Sequence, residues 1–225
     1  SSLNKNGSLT YGEFVVPGKL KKEILISTYV CHPSMANNEL SGPVLLNAIL
    51  KYVKDNYQNK NFSYRFVMHP ETVGSIAYIS KNKNELKKNI ICGINLSTVG
   101  DERAYTTIHT PQENTLADQA LKAALIGKKN VTNYSFLERG SDERQYCAPG
   151  IELPVCGFSR SKYYPEYHTN KDDFKVVTEK GLQDSFVIIK TIIDAFELGL
   201  YPQTRVLCEP NLGKRNLYPQ ISKKE

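Results

Sequence analysis

From residue 23 to residue 30 the chain reads Glu-Ile-Leu-Ile-Ser-Thr-Tyr-Val, an almost unbroken run of apolar and β-branched positions. A run of this kind, too short for a typical helix, predicts a strand buried on both faces. The pattern then breaks. Residues 31–42, Cys-His-Pro-Ser-Met-Ala-Asn-Asn-Glu-Leu-Ser-Gly, form a polar loop. From Pro43 the apolar positions fall at helical spacing, predicting a helix over 41–56. Its expected core face is Val44, Leu45, Ala48, Ile49, Tyr52 and Val53, with Ser41 as N-cap ahead of Gly42-Pro43.

The alternation repeats along the chain. Residues 62–68 and 90–99 predict further buried strands, and 103–108 and 153–158 shorter ones. Residues 9–16 alternate loosely up to Pro17-Gly18 and predict an edge strand. A helix is expected through Ile76, Ala77 and Ile79, with Leu86 in a second turn. Another spans 115–126, capped by Asn114 or Thr115. The last starts near Thr178, with a core stripe of Leu182, Phe186, Ile189, Ile193 and Phe196. Strands alternating with helices predict an α/β fold: a three-layer, mostly parallel or mixed twisted sheet flanked by helices. The expected division is one domain over 1–200 and a Pro/Asn/Lys-rich strap or tail over 201–225.

Composition narrows the function classes. With 225 residues, 40% of them hydrophobic, the chain suits one α/β core, and no apolar run is long enough to span a bilayer. The net charge of +6 is scattered in short lysine clusters, without the aromatic-interleaved basic stripe that nucleic-acid binding calls for. Five cysteines, an odd number without CxxC spacing, argue for a reducing, cytoplasmic compartment and against a disulfide scaffold. The first seven residues lack the apolar segment of a signal peptide. They carry no fold signal either, so the chain is expected to be part of a longer protein.

Three loops that follow predicted strands carry His32, Glu71 and His168. If the sheet is doubly wound, all three converge at one edge, where ligands bind in open α/β sheets. Two imidazoles and a carboxylate are the ligand set of many catalytic zinc sites, and a nearby carboxylate can take the proton of an activated water. Each residue also has a structural reading: His32 as a helix-capping loop residue, Glu71 as a dipole-favoured residue at a helix start, His168 as a partner of Asp172 or Asp173. His69 is expected to be structural and His109 to lie at the surface. Cys31 is a poor nucleophile candidate because neighbours on an extended strand point to opposite faces. Cys147 is expected to be buried.

Several segments add up to a resemblance. They are residues 31–42, Pro70-Glu71-Thr72-Val73-Gly74-Ser75-Ile76, the stretch 139–150 (Arg-Gly-Ser-Asp-Glu-Arg-Gln-Tyr-Cys-Ala-Pro-Gly), Tyr164-Pro165-Glu166-Tyr167-His168-Thr169, and the tail 208–215 (Cys-Glu-Pro-Asn-Leu-Gly-Lys-Arg). With them the chain resembles the zinc aminopeptidase clan. It is most similar there to the aminopeptidase-like domains of polysaccharide-biosynthesis-associated proteins, which usually carry more chain ahead of this point. The resemblance implies that His32 and His168 are metal-ligand histidines and that Asn38 occupies the place of a bridging Asp. It implies that Glu71 lies in the region of a Glu-Glu pair, of which one carboxylate is missing beside Pro70. Ser97 stands where a ligand Asp is expected, and Ser141-Asp142 matches a Ser-Asp pair near the site.

A neutral amide neutralises two dications far less well than a carboxylate. One zinc ion is therefore expected in place of two, with Glu71 as the catalytic residue and His32, Glu39 and His168 as metal ligands. Asn38, Asp142, Glu143, Tyr164 and Tyr167 are expected to line the site. The aromatic loop 163–167 reads either as a substrate-facing wall or as packing against the last helix. Three functions remain open. One is a one-metal hydrolase cutting an amide in a small-molecule or peptide-like substrate, with neither nucleic acid nor membrane as partner. Another is a non-catalytic binding or scaffold domain with a degenerate site, and the third a cyclase-like acyl transfer on the same fold.

Overall fold

The computed structural model describes residues 6–199, 207–209 and 211–218. Its strands are β1 (Gly12–Val16), β2 (Glu23–Tyr29), β3 (Ser63–His69), β4 (Ile90–Ser97), β5 (Tyr105–Ile108), β6 (Val131–Tyr134) and β7 (Val155–Ser159). Its helices are α1 (Ser41–Asn56), α2 (Val73–Asn89), α3 (Leu116–Ala124), α4 (Glu143–Tyr146) and α5 (Glu179–Leu198). One seven-stranded sheet runs β1-β3-β2-β4-β7-β5-β6. The inner strands β3, β2, β4 and β7 are mutually parallel. β1 joins β3 antiparallel, and β5 joins β7 antiparallel with β6 parallel beyond it. The mixed, three-layer α/β sheet expected from the alternation is present.

The layers follow from side-chain alternation in the strands. On one face Ile24, Ile26, Phe66, Ile94 and Phe158 pack under α1, α3 and α5. On the other, Leu25, Val67 and Val155 meet Tyr78 and Leu86 of α2 and Tyr146 of α4. Every residue of β2 is buried, as its unbroken apolar run predicts.

Two expectations need correction, and two elements go beyond the predicted pattern. α1 has the predicted bounds, but Val44 and Ala48 are exposed and Leu46 is buried in their place. The core line is Leu45, Ile49 and Val53, and a step of about 100° per residue turns Val44 off it. Ser41 is no N-cap. It is already helical, its Oγ donates to the Asn37 carbonyl at 2.5 Å, and it accepts the Val99 N–H at 3.0 Å. The helix is entered instead through a π-helical turn, Ala36–Leu40. Residues 73–89 are one helix without a break. β6 was not predicted, because Val131-Thr132-Asn133-Tyr134 is a half-exposed edge strand with polar residues at its centre. α3 carries a capping box between Thr115 and Asp118, as its first turn suggests. Most of the predicted tail 201–225 lies outside the described residues.

Candidate active site

β2 lies at the sheet centre between β3 and β4. Their parallel carboxyl ends open on one edge, and the loops there carry the candidate chemistry. Cys31 and His32 follow β2, Glu71 follows β3, Ser97 ends β4, and the segment after β7 leads to His168.

His32 is the meeting point. Its Nε2 stands 3.9 Å from Glu71 Oε2 and its Nδ1 3.8 Å from Glu39 Oε2. The ring centre lies 5.4 Å from that of His168, which is stacked on Tyr167 at 3.9 Å and 16°. Cys31 joins them: its Sγ is 3.2 Å from His32 Nδ1 and accepts the Glu71 N–H at 3.3 Å. Ligand atoms of Cys31, His32 and Glu71 all lie within 4.8 Å of one another. The alternation argument against Cys31 fails because β2 ends at Tyr29, and beyond a strand end neighbours need not point apart.

Glu71 is set by the turn ahead of α2. Thr72 adopts a positive φ of 62°, rare for a β-branched residue. Asp142 holds it there, accepting the Thr72 N–H at 2.8 Å and the Ser75 hydroxyl at 2.7 Å. The Ser141 hydroxyl donates to Glu71 Oε1 at 2.6 Å, which leaves Oε2 turned to His32. Burial raises the Glu71 carboxyl above its ordinary value; the Ser141 hydroxyl opposes this and Asp142 adds to it. Burial also pushes Asp142 up to about 6.

The other expected residues divide. Glu39 turns to the backbone, where its Oε2 accepts the Cys31 and His32 N–H groups at 2.9 and 2.6 Å. Asn38 is buried, its Oδ1 accepting the Tyr29 hydroxyl at 2.6 Å, and Tyr29 is 3.0 Å from Ser97 Oγ. The two positions where acids were expected thus belong to a neutral trio, and burial raises the Tyr29 hydroxyl well above its ordinary value. Glu143 is buried. It accepts the Gly140 and Ser141 N–H groups and the Asn95 amide at 2.9, 3.0 and 3.1 Å.

Tyr164 is buried behind Tyr167, their ring centres 5.5 Å apart, with its hydroxyl on Asp172 at 2.7 Å. Asp172 is not the partner of His168; its carboxylate accepts the N–H groups of Asn37 and Asn38 at 2.6 and 3.0 Å and so shapes the loop before α1. Tyr163 packs on Tyr134 rather than on α5. Tyr163 and Tyr167, with Glu71, Ser97, Arg139 and Lys162, line a cavity of about 480 Å³, while Cys31, His32 and Glu39 line a separate one of about 620 Å³. His69 is buried and structural, bonded to Tyr146 at 2.9 Å. His109 is half-buried against Asp118, not at the surface, and Cys147 is buried as expected.

Sequence reasoning missed Cys31 as a member of the cluster, Ser141 as the donor to Glu71, and Asp172 as the organiser of the loop. The Ser141-Asp142 match puts Ser141 near the site but without this role, and Cys31 had a local signal in its place beside His32 just past a strand end.

A model of the family described as "Domain of unknown function (DUF4910)" matches residues 3–199. A Clostridium acetobutylicum protein named for polysaccharide biosynthesis and an aminopeptidase-like domain is 40% identical over 229 residues, covering 98% of this chain and 51% of the relative. A solved structure from Clostridium acetobutylicum, described as that of a peptidase, superposes with a TM-score of 0.80 at 38% identity, over 91% of this chain and 49% of that one. The zinc aminopeptidase BSAP of Bacillus subtilis superposes with a TM-score of 0.68 at 16% identity, over 82% of this chain and 48% of that one. The last likeness shows a shared fold. The chain spans about half the length of the relatives it matches.

Proposed function

The chain belongs to the DUF4910 domain family, and from that membership and the His32 cluster we propose that it is a metal-dependent hydrolase of the aminopeptidase type. Its substrate would hold an amide bond of peptide or N-acyl-sugar kind, and the site would use one zinc ion. The observation that carries this reading is that His32 Nε2 lies 3.9 Å from Glu71 Oε2 and its ring centre 5.4 Å from that of His168.

The donor set suits one ion better than two. Imidazole and carboxylate donors converge at His32, while Asn38 and Ser97 offer only neutral atoms already hydrogen-bonded to Tyr29. His32 and His168 are the residues that would hold the ion. A zinc ion bound there acidifies water and polarises a carbonyl.

The chain's own part is proton handling and positioning. Glu71 Oε2, free of the Ser141 bond, takes the proton of the attacking water and passes it to the leaving nitrogen. Ser141 fixes the carboxylate rotamer, and Asp142 fixes the strained turn that carries it. The cavity between Tyr163, Tyr167 and Lys162 receives the substrate beside that carboxylate. Tyr167 holds the plane of His168 by stacking.

Replacement of Glu71 by Gln tests the reading. General acid–base work is worth about 10²–10⁴-fold. Hydrolysis of peptide and N-acyl-sugar substrates should fall by that order while zinc content, read by elemental analysis, stays unchanged. Loss of zinc together with activity would make Glu71 a ligand, and unchanged turnover would remove it from catalysis.

A second reading is supported by the Tyr29–Asn38–Ser97 trio, which puts neutral groups at two acid positions. In that case the domain is a non-catalytic binding module, and the purified chain takes up no zinc even when prepared with excess metal.

A further inference from the structure

We infer that Cys31 is itself a ligand of the ion, as a thiolate, so that the site is a one-metal centre built on Cys31 and His32. This rests on the metal reading above. Three observations carry it.

The first is geometry. Cys31 Sγ lies 3.2 Å from His32 Nδ1, and a donor atom of Glu71 falls within the same 4.8 Å span. Sulfur and nitrogen bound to one tetrahedral zinc, with bonds of about 2.3 and 2.0 Å, stand roughly 3.5 Å apart. The pair is already near that separation.

The second is charge. Glu39 is committed to two backbone N–H groups, and Asn38 and Ser97 are neutral. Two carboxylates face His32, Glu71 at Nε2 and Glu39 at Nδ1, and Glu71 is the one not tied to backbone amides. A dication with one carboxylate and neutral imidazoles keeps a net charge of +1, as many catalytic zinc sites do, and leaves room for one further anionic donor. A Cys31 thiolate brings the centre to neutrality.

The third is the surroundings of the sulfur. The Glu71 N–H points at Sγ at 3.3 Å. Hydrogen-bond donors to a coordinated sulfur orient it and stabilise its charge. Cys31 is also exposed, so an ion can reach it, whereas Cys92, Cys147 and Cys156 are buried in the core.

The chemistry balances without an oxidant or reductant. The Cys31 S–H bond breaks, its proton goes to solvent, and the electron pair left on sulfur forms the bond to the ion. A thiolate selects zinc over magnesium, calcium and manganese, which prefer oxygen donors.

Cobalt substitution of the full chain provides the test, because a cobalt–thiolate bond gives a near-ultraviolet charge-transfer band that oxygen and nitrogen ligands do not. Wild type and Cys208→Ser should show the band with one cobalt per chain. Cys31→Ser should lack it and bind zinc more weakly in chelator competition, by more than the about 10–100-fold that loss of a mere supporting partner costs. Stoichiometric cobalt in wild type without the band would overturn the inference and leave the hydrolase reading intact. So would a Cys31→Ser protein with wild-type zinc affinity. The wild-type spectrum decides even if the variant folds poorly. A folded wild type that takes up neither metal would overturn both readings together.

Discussion

Asn38 differs from the acid expected in its place by one NH₂ group in exchange for one oxygen. Its Oδ1 takes the Tyr29 hydroxyl at 2.6 Å, while Nδ2 has only a weak contact to Met35 Sδ at 3.7 Å. Asn38→Asp therefore fits without steric cost but buries a charge with a single donor. A buried unsatisfied polar group costs about 1–3 kcal/mol, more when charged. The metal-free variant should melt below wild type, and zinc should raise its melting temperature more than it raises that of wild type. An equal zinc response in the two proteins would count against any metal near Asn38. Glu39 invites a complementary experiment. Its carboxylate ties down the amides of both Cys31 and His32, so Glu39→Gln should weaken zinc binding about 10–100-fold in chelator competition if Glu39 acts by positioning those residues. His32, Glu71 and His168 were legible in the sequence because each follows a strand whose pattern is plain. Cys31 was misread because an alternation rule was carried past the strand end. Asp172 had no signal at all, since it binds backbone amides 135 positions away through a loop without periodicity.

At the scale of elements, the entry of α5 fixes the edge that carries the site. Thr178 accepts the Gly181 N–H at 2.9 Å and caps the helix, while Ser185 donates to the Val99 carbonyl at 2.7 Å. Gly181 lies against the Gly100 backbone, and a Cβ there would run into the Gly100 carbonyl oxygen. Two effects compete in Gly181→Ala. Helix propensity would gain about 1 kcal/mol, but overpacking against rigid backbone costs about 1–3 kcal/mol. The variant should be destabilised, with a lower urea midpoint and an unchanged slope. A rise in the midpoint would show that the loop after β4 yields. Strands and helices inside the core were legible because burial on one or two faces imposes a period on the chain. β6, half-exposed and polar at its centre, has no such period. The order of the strands was not legible either, because pairing partners such as Gly93 and Val155 meet only through the assembled sheet.

For the whole molecule, stability should depend on pH through two buried neighbours behind the site, each shifted chiefly by its own burial. His69 Nδ1 lies 3.6 Å from Asp142 Oδ2, both side chains fully enclosed. Burial lowers His69 from 6.5 to about 4, so its stabilising contribution is present above about 6.5 and lost as pH falls through 4. Burial raises Asp142 from 3.8 to about 6, so its contribution is present below 3.8 and lost as pH rises through 6. Each shift corresponds to about 3 kcal/mol, and between pH 4 and 6 they run in opposite senses. Asp142→Asn should expose the histidine effect alone, giving a steeper loss of stability than wild type between pH 6.5 and 4 in urea titrations. Parallel pH profiles would count against these opposed contributions. The placing of the site on four parallel strand ends has one more consequence. Ser141 reaches back 70 positions to Glu71, and Asp172 reaches back 135 to Asn37. Closing such long loops is entropically costly and slow, and parallel strands cannot pair through local hairpins. The site is therefore expected to be completed late on the folding path, once β7 has docked on β4 and the segment beyond it has folded back, so pulse-labelled hydrogen exchange should protect β2 and β3 before the Thr72 amide. A chain still being synthesised, or stalled short of that docking, holds His32 without the Ser141–Glu71 and Asp172–Asn37 bonds that shape the loops around it.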